Sequence, residues 1–257
     1  MTQPLGKVCE EVCLAALRKK TTMRSAILLA ACLIPILAFA QDNWKGGAGN
    51  WNDATKWTAG VPTSSSSVYV DHGLAGASAV TVSDGEQSGN LTIDSDDSVT
   101  LVGGLLNVFG PTISNAGILA IAATSGGANF DISGAVTLTG AGTLNMSNSA
   151  NNIIFGYGQG TGAKLTNQST IRGSGTIQPG CSNTFNNQHI VNANQTTPLY
   201  ISICNGPSAN TGTLEATNGG TWFSKAIREA AERSTTPAAA SFMPTPVPSC
   251  SCMVVRL

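Results

Sequence analysis

Charge is scarce in this chain. Asp, Glu, Lys and Arg together make up 11% of its 257 residues, and aromatic residues only 5%. Between Gln41 and Thr221 four cations occur, Lys45, Lys56, Lys164 and Arg172, against ten carboxylates, a net charge of −6. A nucleic-acid-binding face must neutralise phosphates with Lys and Arg, so that class is disfavoured. Histidine occurs twice, at His72 and His189, and neither H-E-x-x-H nor G-x-S-x-G is present. No nucleophile–base order can therefore be argued, and the chain reads as non-enzymatic.

Long hydrophobic runs are also rare. The one extended example, Ser25 to Ala40, follows Arg18, Lys19, Lys20 and Arg24 and ends in Ala38-Phe39-Ala40. A basic start, an apolar centre and a small-x-small end make a secretory signal, here residues 23–40 with cleavage after Ala40. The run is shorter than the roughly 20 residues that span a bilayer, and Pro35 interrupts it. Two alternatives stay open: lipidation at Cys32 after Leu29-Ala30-Ala31, and a retained membrane anchor. Met23-Arg24 would itself start a signal peptide, so residues 1–22, with Cys9 and Cys13, read as an upstream over-extension. The expected location is extracellular or cell-surface.

What the chain does have is Gly, Asn, Ser and Thr alternating with aliphatic residues. Four segments share an Asn followed four positions later by an aliphatic: Asn115 with Leu119, Asn167 with Ile171, Asn187 with Val191, and Asn210 with Leu214. The Asn residues are 52, 20 and 23 apart, and Gly140 with Leu144 falls where a copy is skipped. Strands this short cannot bury a core alone. Stacked in parallel about 4.8 Å apart, they pile their aliphatics into a continuous column. The spacing therefore predicts an all-β, single-stranded, right-handed parallel β-helix with windings of about 20–25 residues over 64–221. Asn and Gly are expected at the corners, where positive φ is tolerated and stacked Asn amides can form a ladder. A β-sandwich is the competing fold, but it does not explain the Asn-to-aliphatic unit.

Three of the four Trp residues, Trp44, Trp51 and Trp57, lie within 14 positions, in a segment closing on Gly60-Val-Pro62. With the repeats, this resembles the opening of large bacterial surface and secreted proteins that carry autotransporter-type β-strand repeats. The resemblance covers about residues 43–221. It implies an extracellular stalk or adhesin-like passenger, whose partner would be a polysaccharide or another surface protein. We expect the three indoles to cap the open end of the first winding over residues 41–63. A carbohydrate platform is the other use of such a cluster.

From Trp222 the character changes: residues 222–257 contain no Gly and no Asn, and Pro237, Pro244, Pro246 and Pro248 cluster. Translation out of frame, or a short helix followed by a disordered end, would both produce this. Cys181 and Cys204 are one winding apart, and an exported protein meets an oxidising compartment, so a disulfide between them is expected. Cys250 and Cys252 are too close in sequence to pair easily.

Asp94, Asp96 and Asp97 form an acidic turn without the ordered spacing of a calcium loop. A solvated turn is expected, with no metal site and no cofactor. The Gly156-Tyr157-Gly158-Gln159-Gly160 run lacks the strand–helix context of a dinucleotide loop. Arg172 and Glu215 share the variable outward position of the repeat, two copies apart. A polysaccharide-binding or polysaccharide-degrading β-helix is the alternative function.

Overall fold

The computed structural model describes residues 39–124, 126–156, 162–180, 183–204, 208–227 and 252–255, all within one compact unit, Phe39–Leu257. Expectations for the leader, for Cys32 and for most of the tail fall outside these residues. So does the disulfide, because Cys181 is not among them. Among the described residues the strands form three eight-stranded sheets, and no helix is long and apolar enough to cross a membrane. The chain visits the three sheets in turn, and each strand pairs in parallel with its counterpart in the next winding. The result is a β-solenoid of about seven turns.

The strands are two to six residues long, and most bury alternate positions, as in Ser66–Val70 and Asn152–Gly156. Alternation is what a pleated strand with one dry face requires. The predicted aliphatic column is present in the second sheet. Val80, Val99, Leu119, Leu144, Ile171, Val191 and Leu214 lie in register across successive windings, and all but Leu214 are buried. Burying each such side chain contributes roughly 1.5–3 kcal/mol, so the column is a principal source of cohesion. Leu144, from the skipped copy, pairs with both Leu119 and Ile171. The windings are less uniform than 20–25 residues. From Val80 onward along the second sheet they take 19 to 27, and the step that precedes them, Gly49 to Val80, takes 31.

The corners correct the reason given for Asn. None of Asn115, Asn167, Asn187 or Asn210 has positive φ; among the described non-Gly residues only Asp71, His72 and Asn218 do. The Asn residues are selected for their side chains. Asn167 Nδ2 donates to Asn187 Oδ1 (2.8 Å), and Asn187 Nδ2 donates to Asn210 Oδ1 (2.7 Å). Gln168 Nε2 donates to Gln188 Oε1 (2.9 Å) in a second rung beside the first.

Asn115 is not part of this ladder, because Leu138, not an Asn, stands opposite Asn167 in the preceding winding. It shares a different bond with its relatives. Asn115, Asn167 and Asn187 donate to the carbonyls of Thr143, Ile190 and Thr213, which occupy one register position of the second sheet. Each inward Asn thus ties its corner to the winding above. The corner glycines serve close approach: a Cβ at Gly142 would collide with the carbonyl of Gly117.

Trp44, Trp51 and Trp57 lie in the incomplete winding before the strand Ser66–Val70 and are all buried. Trp57 packs on both others at 5.0 Å between ring centroids, and its Nε1 donates to the Trp51 carbonyl (2.6 Å). Asp53 caps the 3-10 turn Ala54–Lys56 by accepting from the Thr55 amide, which sets the chain reversal. The returning segment then pairs antiparallel with the outer edge of the strand Ala40–Asn43 and the residues after it. Lys45 N–H donates to the Lys56 carbonyl, and Thr58 N–H to the Asn43 carbonyl. With no indole face exposed, a carbohydrate platform at the tryptophans is overturned.

The compositional break at residue 222 does not coincide with a structural one. Trp222–Ile227 continues the third sheet in register with Leu199–Cys204, and Cys252–Val255 pairs antiparallel on its other side.

Candidate functional site

In this fold most core-facing positions are aliphatic, so the accessible ligand chemistry lies on the outward rows. In the second sheet the outward row runs Thr100, Ala120, Asn145, Arg172, Asn192 and Glu215. Arg172 and Glu215 do share a row, two windings apart, with Asn192 between them. Glu215 Oε1 accepts from Asn192 Nδ2 (2.7 Å), so the carboxylate is held away from Arg172. Arg172 is exposed and donates through Nε to Asn145 Oδ1 (2.6 Å), a bond that does not use its Nη groups.

Where Ala120 and Ala122 leave the row low, a cleft of about 320 Å3 opens beside Arg172. Its other wall is Asn194 and Gln195, on the loop after the strand Ile190–Ala193. That loop is pinned two windings back: Asn148 Oδ1 accepts from the Thr197 amide (2.9 Å), and Asn148 Nδ2 donates to Thr196 Oγ1 (2.9 Å). Below it, Asn152 is fully buried, accepts from the Ala123 amide and donates to the carbonyls of Ser147 and Ser174. Asn194 Oδ1 is buried and has no hydrogen-bond partner. Asn148, Asn152 and Asn194 were not singled out from sequence. One Asn among many carries no signal until the corner it closes is known.

The acidic turn is partly buried rather than wholly solvated. Asp97 is buried and Oδ1 accepts from the Ser78 amide (2.7 Å), while Asp71 Oδ2 accepts from Ser78 Oγ (2.7 Å). Burial pushes the Asp97 carboxyl up to about 6; the Ser78 amide opposes this, and Asp71, Asp96 and Asp94 add to it. Two carboxylates therefore fasten one serine. Asp71 and His72 have φ of 76° and 52°, which this network holds in place. Among the described residues no group of three or more His, Cys, Asp or Glu is placed to hold a metal ion.

The third sheet has a different outer face. Leu105, Asn129, Ile153, Thr176, Tyr200 and Phe223 share one outward row, and Tyr200 stacks on Phe223 at 5.2 Å. In the neighbouring row Asn107 and Asp131 are buried, and burial alone pushes Asp131 up to about 6.

The histidines are far apart. His72 meets the Tyr69 ring edge-on in the first complete winding. His189 sits exposed in a bend five windings later, as its corner position predicts. Among the sequence-selected polar residues, Arg172 lines the lateral cleft, while Asn187 and Asn210 line a second cavity near Leu214. No protein-family model, curated protein or solved structure matches this chain.

Proposed function

We propose that this is an exported, non-catalytic β-solenoid whose lateral face makes adhesive contacts at a cell surface, in the manner of an autotransporter-type passenger. The observation that carries the reading is the outer surface itself. Outward rows, polar along much of the second sheet and more apolar along the third, run over sheets whose inner strands are paired on both sides, so contact there must be made by side chains, not by strand addition. Cleavage after Ala40 would remove only the first residue of the strand Ala40–Asn43, so a chain starting at Gln41 keeps the body of the solenoid. On this reading the buried tryptophans and the returning Lys56–Thr58 segment cap the solenoid, covering an edge that would otherwise recruit other strands.

The test is to express the full chain in a bacterial host, fractionate the cells and sequence the N-terminus of the exported product. That product is then applied to glycan arrays and to cell surfaces. Export with binding and without turnover supports the proposal. Retention in the cytoplasm, or release of unsaturated sugars from a bound polysaccharide, defeats it.

A further inference from the structure

The cleft beside Arg172 presents one unmet charge, a guanidinium whose register neighbours, Asn145 and Asn192, are both neutral amides. A ligand that meets it must bring an anion. Arg172 is the one charged residue among those lining the cleft, so nothing in its walls neutralises it. The size, about 320 Å3, lies within the roughly 300–1,000 Å3 of small-molecule sites.

We infer that this cleft binds a carboxylate-bearing saccharide, a uronate unit within a longer chain. The carboxylate pairs with the Arg172 Nη groups, a planar match that Lys would supply only as a point charge. Sugar hydroxyls both donate and accept, which suits the amides of Asn145, Asn194 and Gln195. The methyl groups of Ala120 and Ala122 form an apolar floor for the C–H face of the ring. An acidic peptide is less suited. It would dock by adding a strand to a sheet edge, and the backbone on this face is already paired to the windings on either side. The surrounding charge of −6 repels a polyanion, so attraction is local to Arg172 and falls with salt. This inference rests on the reading that the lateral face is the contact surface.

The experiment is calorimetric titration of the full chain with galacturonate oligomers, with their carboxyl-reduced neutral counterparts, and with poly-glutamate. The variants are Arg172→Gln, Arg172→Lys and Ala120→Phe. We expect binding of the uronate oligomer only. Losing a charge-assisted bond costs roughly 10- to 100-fold in affinity in Arg172→Gln, with partial recovery in Arg172→Lys. Ala120→Phe, which fills the cleft without touching the charge, should bind no better than Arg172→Gln. Arg172 is exposed, so unchanged thermal unfolding identifies a folded variant. Equal affinity for neutral and acidic oligomers, poly-glutamate binding as tightly, undiminished binding by Arg172→Gln and Ala120→Phe, or no binding at all would overturn the inference. Cell-surface attachment that survives in Arg172→Gln would leave the adhesive reading standing while this one fails. A wild-type chain that binds the uronate oligomer through Arg172 but attaches to no cell surface would do the reverse.

Discussion

The first and last windings are built from the same repeat and end differently. At the N-terminal end three indoles are almost wholly inaccessible, and the chain doubles back to pair with the outermost strand. At the other end Leu214 and Trp222 are only half-buried, and a cavity of about 190 Å3 opens between Phe185, Ile201, Leu214 and Ser224. Leu119 and Leu214 share one column, yet only Leu119 is fully buried. A side chain in a stacked fold is protected by the windings on both sides of it, so identical repeat positions differ in worth according to their place in the stack.

The sharpest break in this comparison comes from Trp57→Ala. It removes the ring that packs on both other indoles and deletes the bond to the Trp51 carbonyl. We expect a loss of about 3–5 kcal/mol in urea unfolding. Hydrogen exchange should rise first in Ala40–Asn43 and Ser66–Val70, the strands nearest the cluster. Uniform exchange along the solenoid would show that the end contributes nothing special.

Asn187→Ala comes next, at about 2–3 kcal/mol, because it removes three bonds of one buried amide at once: those to Asn167, to Asn210 and to the Thr213 carbonyl. Asn210→Ala, at the exposed end of the same ladder, should cost under about 1 kcal/mol. Equal losses would mean that the ladder does not weaken toward its end.

A smaller effect tests a site away from both ends. Asp131 is pushed up to about 6 by burial, so the folded chain holds a proton there that the unfolded chain has released from about pH 4 upward. Its contribution to stability is therefore present at low pH and lost as pH rises through about 6, the reverse of a salt-bridged carboxylate. Asp131→Asn should stabilise the protein by about 2 kcal/mol at pH 7 and hardly at all at pH 4. Asp97 titrates in the same sense and would remain as residual pH dependence. A wild-type protein that is less stable at pH 5 than at pH 7 would contradict this account. Leu214→Ala should also be small, about 1 kcal/mol against about 2–5 kcal/mol for Leu119→Ala in the same column.

Much of this architecture was legible beforehand because a solenoid writes its core at a regular spacing. Leu119, Ile171, Val191 and Leu214 could be aligned by their distance from an Asn, and Leu144 by interpolation. The role of the Asn was half legible. The ladder could be anticipated, but the backbone reason offered for the corners was incorrect, because inward amides and left-handed residues leave the same mark in a sequence. The cleft beside Arg172 left no such mark. Arg172 stood out only as a rare cation in a variable position, while Ala120, Asn148 and Asn194 are ordinary residues spread over 75 positions.

By itself the sequence determined the stacking: alternation sets which side chains face inward, and the repeat length sets which of them meet, since both follow from the geometry of a strand. Only the tertiary structure decided how long each turn runs, which corner loop folds back two windings, and hence where the surface dips. Those outcomes depend on hydrogen bonds such as Asn148 to Thr197, formed between residues far apart in the chain, whose partners no local pattern specifies.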